Sequence, residues 1–129
     1  MQNTKIIEIK DFDNTLKFKI RLFGALEGLD FMDTALGLIN SKERLTIRPF
    51  LETLLKLATP LDLSGNMALL PPGKVLTLSA ADEMFQNPIS LLTLGFQILD
   101  FQKVFLESSP QFQPLIRTLE EKLHIKILD

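Results

Sequence analysis

SAADEMFQNPISLLTLGFQILDFQKVFL, running from Ser79 to Leu106, is the longest apolar, helix-compatible run in the chain, and the rest is organised around it. Ser79-Ala80-Ala81-Asp82 fits a capping box, in which the serine oxygen accepts from the third backbone N–H and the acid reaches back to the cap's own N–H. A helix is predicted to begin there. Asn87-Pro88 interrupts it, because proline lacks a donor N–H and pushes the residue before it out of the helical region. The same pair is a good N-cap and first helical position. The expectation is a short helix, a corner, and a longer helix from Pro88 to about Leu106.

At helical spacing the long segment carries two apolar rows. Leu91, Leu94, Ile98, Phe101 and Phe105 form one, and Ile89, Leu92, Phe96 and Leu99 form the other until Lys103 breaks it. Ser90, Thr93, Gln97 and Asp100 separate the rows on one side, with Gly95 and Gln102 on the other. Such a helix wants neighbours on two faces. Two roles are open to these rows. Both can be core within the helix's own domain, or one row can be core while the other is the partner-binding surface for a second copy or a client protein. Either row, including that from Leu91 to Phe105, is open to either role.

Upstream, Lys5 to Phe23 has the pattern of a β-hairpin, with Leu16, Phe18, Ile20 and Leu22 alternating with Lys17, Lys19 and Arg21. Asp11 to Thr15 supplies the turn, where Asp13-Asn14 tolerates left-handed backbone. A lone hairpin is marginal, so its apolar face must lie on helices or meet a third strand. Its basic outer arm is diluted by Glu8, Asp11 and Asp13 and suits a solvated face better than a nucleic-acid stripe.

Glu27 to Ile39 carries Leu29, Met32, Leu36 and Ile39 on one face, widened by Phe31, Ala35 and Leu38. Pro49 can open the next helix, with Phe50, Leu51, Leu54, Leu55 and Ala58 inward and Thr59-Pro60 closing it. Residues 61–77 hold Ser64-Gly65-Asn66 and Pro71-Pro72-Gly73 and form a long connection. Met67, Leu69, Leu70, Val75 and Leu76 make it apolar, as in a loop packed over the core or a segment that docks on a partner. A last helix is expected over Pro114 to Leu123, and alternating Ile125 and Ile127 suggest a short closing strand.

These spans predict one α+β domain, mostly α, over residues 1–129: an N-terminal β-hairpin (1–23), then a small helical bundle around a central helix (24–129) with the loop 61–77. At 129 residues it can bury a sizeable core without staples. Zero cysteines exclude disulfides, thiolate metal sites and a cysteine nucleophile, and suit a cytoplasmic setting. A net charge of -2 argues against phosphate-backbone binding, so no nucleic-acid partner is expected. No apolar run reaches the ~18–20 residues of a membrane span, so no membrane partner is expected either.

Chemistry-bearing residues are sparse. The single histidine, His124, stands near the chain end and reads as a surface or helix-end residue rather than a catalytic base. Asp82-Glu83 and Glu120-Glu121 are adjacent pairs whose side chains diverge on a helix. Asp11-Phe12-Asp13-Asn14 starts like a calcium loop but lacks its glycine and terminal glutamate. Pro71-Pro72-Gly73-Lys74 lacks phosphate-loop spacing. No enzyme, cofactor or metal is expected.

Ala81 to Leu106 resembles the small tail assembly chaperones of long-tailed bacteriophages and their prophages. The shared features are an acidic-aromatic lead-in (Asp82, Phe85), the Asn87-Pro88 corner, a Leu-rich helix, and an aromatic finish (Phe101, Phe105). The resemblance covers about a fifth of the chain. It implies a non-enzymatic protein that coats the tape-measure protein, keeps its long helices from aggregating, and helps recruit tail-tube protein during tail morphogenesis. No invariant family residue carries over. The candidate partner-binding residues Leu91, Leu94, Ile98, Phe101 and Phe105 come from the apolar row alone. The competing expectation is a homo-oligomeric structural or adaptor protein using the same row for self-association. A small-molecule pocket is weaker, since few polar groups converge.

Overall fold

The computed structural model describes residues 3–40 and 48–102, with Pro114, Arg117 and Glu121 as exposed helical positions. Phe105, His124, and the expected last helix and closing strand otherwise lie outside the described residues. The elements are β1 (Thr4–Asp11), β2 (Asn14–Arg21), α1 (Ala25–Asn40), α2 (Arg48–Leu55), β3 (Ala58–Leu61), α3 (Leu78–Met84) and α4 (Pro88–Phe101). The chain is α+β.

Period-two alternation makes the hairpin. β1 and β2 pair antiparallel with Ile7 opposite Phe18 and Ile9 opposite Leu16, so Ile7, Ile9, Phe18 and Ile20 share the buried face. The hairpin meets both a third strand and helices. β3 pairs antiparallel with β2, giving the order β1-β2-β3, with Lys17 opposite Leu61 and Ile20 opposite Ala58. The sequence assigned Ala58 to a helix and Thr59-Pro60 to its end. Instead α2 stops at Leu55, and the next residues take the bonding edge that β2 leaves open. Pro60 is tolerated because β3 lies at the sheet edge.

α4 packs on β1 and β2, α2 packs on α4, and α1 and α3 pack on α2. α2 buries Phe50, Leu51, Leu54 and Leu55, the face its spacing predicted. α1 turns Phe31 inward and leaves Leu29 exposed, which corrects the expected stripe at that residue. Phe31 is drawn in by Phe23 and Phe50, whose ring centroids lie 5.1 and 5.4 Å away. Burying one such ring contributes about 1.5–3 kcal/mol. Phe18 stacks on Phe85, 5.8 Å between centroids, and ties the sheet to the end of α3.

Two caps differ in their outcome. Asn87 caps α4, its side chain accepting from Ile89 N, with Pro88 in the first turn. For α3 the cap is Thr77 rather than Ser79, its hydroxyl accepting from Ala80 N at 3.1 Å. Starting there puts half-buried Leu78 on the helix, packed against the core.

Candidate partner-binding surface

The row expected to bind partners is placed by two polar clasps that lay α4 along the hairpin. At the start of α4, the Asp11 carboxylate accepts from Gln86 N at 2.8 Å and Asn87 N at 2.9 Å. Ser90 Oγ donates to Lys10 O at 2.8 Å. At the far end, Gln102 Oε1 accepts from Phe23 N at 2.9 Å, while Nε2 donates to Arg21 O at 3.0 Å and Ile98 O at 3.2 Å. Leu94 and Ile98 are 0% exposed. Leu91 and Phe101 are half-buried against the same core. Of the two roles open to this row, Leu94 and Ile98 take the core role, which corrects their assignment to partner binding: a partner could reach them only by unfolding the domain.

The second row divides. Leu99 is buried, Leu92 and Phe96 are half-buried, and Ile89 stands exposed. Its Gly95 flank lets α2 approach closely, for a Cβ there would stand 2.6 Å from Leu51 Cδ1.

Two exposed apolar side chains stand at the turn end of the hairpin. Phe12 is 65% and Ile89 63% exposed. Both sit beside the first clasp, Phe12 following Asp11 and Ile89 preceding Ser90. Phe12 holds φ 55, in the left-handed region that a bulky residue rarely adopts. The sequence had assigned that conformational freedom to Asp13-Asn14. The Asn14–Asp11 pairing leaves only two residues to reverse the chain, and Phe12 takes the positive φ.

Leu63, Met67 and Leu69 are exposed on the connection after β3. Asp62 anchors that connection. Its carboxylate accepts from Ser64 Oγ at 2.6 Å and from Asn66 N at 3.1 Å. These contacts, the hydroxyl first and the backbone N–H groups after it, hold its pKa below the ordinary aspartate range. Leu69 N donates to Pro60 O at 2.8 Å, folding the segment back on β3. A hollow of about 280 Å³ joins Leu63 and Leu69 to Leu16, Leu61 and Met84, which places this segment next to the turn end of β2 and the end of α3. The connection is partly packed, through Leu70 and Leu76, and partly displayed, through Met67, Leu69 and Val75.

The sequence singled out Met67 and Leu69, and Ile89 at the head of the second apolar row, but missed Phe12 and Leu63. A signal was present: Asp-Phe-Asp-Asn and Asp-Leu-Ser-Gly-Asn set apolar residues inside turn chemistry, where the backbone stays at the surface.

A separate groove of about 500 Å³ runs between α2, α3 and α4, lined by Leu51, Leu78, Leu91 and Leu92 together with Arg48 and Asp82. Leu91 therefore combines a core contact with a groove wall. Among the described residues no three His, Cys, Asp or Glu side chains come together as metal ligands. Among them too, no helix is long and apolar enough to cross a membrane. No protein-family model, curated protein or solved structure matches this chain.

Proposed function

We propose that this chain is a non-enzymatic, protein-binding assembly factor of the tail assembly chaperone kind. It would act in the host cytoplasm on the tape-measure protein and, during the same assembly, on tail-tube subunits. The observation that supports it is the set of exposed apolar side chains Phe12, Leu63, Met67, Leu69 and Ile89 on a framework fixed by Asp11 and Asp62. Exposed aliphatic, methionine and aromatic residues of this kind suit the apolar stripe of a client helix, and Met adapts to varied side chains. The likeness of residues 81–106 to the chaperone family selects the kind of client. The binding surface proposed is the turn end, in place of the row from Leu91 to Phe105.

The test is binding of a purified helical tape-measure fragment to the full chain, compared with Phe12→Asp and Met67→Asp. Both positions are exposed, so melting temperatures should stay near wild type. Affinity should fall on the order of tenfold or more for each variant. Undiminished binding by both variants would overturn the surface, and failure of the wild type to bind would overturn the function. In the genome, the expected neighbours are a tail-tube gene upstream and a very long, helical tape-measure gene downstream.

A further inference from the structure

The two edges of the sheet are finished differently. In an antiparallel ladder, alternate residues exchange bonds with the neighbour and the others turn their peptide groups away. Leu22 N donates to Asn3 O, so Lys5, Ile7, Ile9 and Asp11 are the residues of β1 bonded to β2. Thr4, Ile6, Glu8 and Lys10 face outward. On β3 the outward residues are Ala58 and Pro60, and Pro60 has no N–H while its carbonyl is taken by Leu69 N. A bridge from Leu61 to Ala68 closes that edge further. On β1 the outward carbonyl of Lys10 is taken by Ser90 Oγ. Thr4, Ile6 and Glu8 remain as an open edge among the described residues, with Ile6 56% exposed at its centre.

We infer that β1 is the docking edge for a second copy of this chain, added antiparallel about a two-fold axis through Ile6. In that register every open residue finds a partner: Ile6 meets Ile6 of the other copy, and Thr4 meets Glu8 in both directions. Each pair exchanges two backbone bonds. The two isoleucines cover each other on the outer face, and Lys5 stands opposite Ile7. No like charges are directly opposed, an arrangement that would be destabilising.

The neighbouring registers fail on stated grounds. An axis through Lys5 sets lysine against lysine. An axis through Ile7 brings Thr4 onto Lys10, where Ser90 already closes the edge. Charged residues on an edge strand discourage indiscriminate pairing, and here they leave one self-complementary solution. The pairing joins two three-stranded sheets into one continuous sheet and leaves the turn-end surface of each copy outside the contact. It does not depend on the proposed client.

Sedimentation velocity of the full chain tests it, because an edge contact of this extent falls in the weak class of interfaces. The expected result is a concentration-dependent dimer with Kd of about 1–100 µM. Amide exchange should slow at Thr4, Ile6 and Glu8 as concentration rises. Ile6→Pro removes an N–H that makes no bond to β2, and Ile6→Lys sets like charges across the axis. Each should weaken the dimer on the order of tenfold or more, while Phe12→Asp leaves it intact. If Ile6→Pro does not fold, Ile6→Lys carries the test. A wild type that stays monomeric to about 500 µM, or an Ile6→Lys chain that dimerises as tightly as wild type, would overturn the inference.

Discussion

The two ends of α4 are fastened to the same hairpin by buried polar side chains of opposite character. At its start a carboxylate, Asp11, meets only backbone N–H groups, those of Gln86 and Asn87 at the corner where α3 ends and α4 begins. At its end an amide, Gln102, meets one N–H and two carbonyls, from Phe23, Arg21 and Ile98. A carboxylate only accepts, whereas an amide both accepts and donates. A helix-starting corner presents orphan donors; the place where a strand ends and a new helix begins presents both kinds. Each end has the side chain whose inventory matches its backbone.

Exchanging acid for amide at each end should break this correspondence, unequally. Gln102→Glu is expected to cost most. It would hold a charge at a fully buried site, against Arg21 O and Ile98 O, and an uncompensated buried charge destabilises by about 3–5 kcal/mol. Burial and the two carbonyls would raise the introduced carboxyl above its unfolded value of about 4.3. The loss should therefore be complete above the raised folded value and recede as pH falls toward the unfolded one. Urea midpoints across pH would measure it; a variant as stable as wild type at neutral pH would mean that Gln102 does not hold this end.

Asp11→Asn comes next. One oxygen remains to accept, but an NH₂ group is turned toward a second backbone donor, so a charge-assisted bond is lost and an N–H is left unpaired. The expected cost is about 1–3 kcal/mol. Ser90→Ala removes only the hydroxyl on Lys10 O and should cost less. If Ser90→Ala instead costs more, the hydroxyl rather than the carboxylate is the main fastening.

Neither clasp was legible as a clasp. Asp11 was assigned to turn chemistry and Gln102 to a polar flank, because their partners lie about 75 to 81 residues away along the chain. Elements whose information is local fared better. The alternation of β2, the Asn87-Pro88 cap and the buried face of α2 each follow from spacing or from one residue's backbone preference. β3 was missed because four residues containing Pro60 have no strand signal of their own; they are extended because β2 has an edge to fill. The row from Leu91 to Phe101 was visible as apolar, but which way α4 rolls is decided by the clasps, so burial of Leu94 and Ile98 could not be distinguished from display.

Between the clasps α4 is held by packing that can yield. A Cβ at Gly95 would overlap Leu51 Cδ1, yet that atom is the tip of a flexible side chain on the wall of the groove between α2, α3 and α4. Overpacking costs about 1–3 kcal/mol where nothing can move, and alanine recovers about 1 kcal/mol of helix propensity over glycine. Gly95→Ala should accordingly lower stability by less than about 1 kcal/mol. A loss as large as that of Gln102→Glu would show that the middle is as rigid as the ends.

The smallest effect belongs to the surface pair beside the Gln102 end. Arg21 Nη1 and Nη2 bond the two oxygens of Glu27, and Glu27 Oε1 also accepts from Gly24 N at 2.9 Å, capping the start of α1. The hydrogen bond from Arg21, opposed in part by desolvation, holds the Glu27 carboxyl below the ordinary glutamate range and Arg21 above its own. A depressed folded pKa means that the contribution is fully present above the unfolded value of about 4.3 and is lost as pH falls through the folded one. Solvent reaches both partners, at 42% and 26% side-chain exposure, so screening keeps the pair to about 0.5 kcal/mol. Glu27→Gln should thus differ from wild type by about that much near neutral pH and converge with it as pH falls below the depressed folded value. Both deficits shrink under acid, for opposite reasons: in Glu27→Gln because the wild type loses a stabilising charge, in Gln102→Glu because the variant loses a destabilising one. The two variants, titrated side by side, distinguish a charge that belongs at the surface from one forced into the interior.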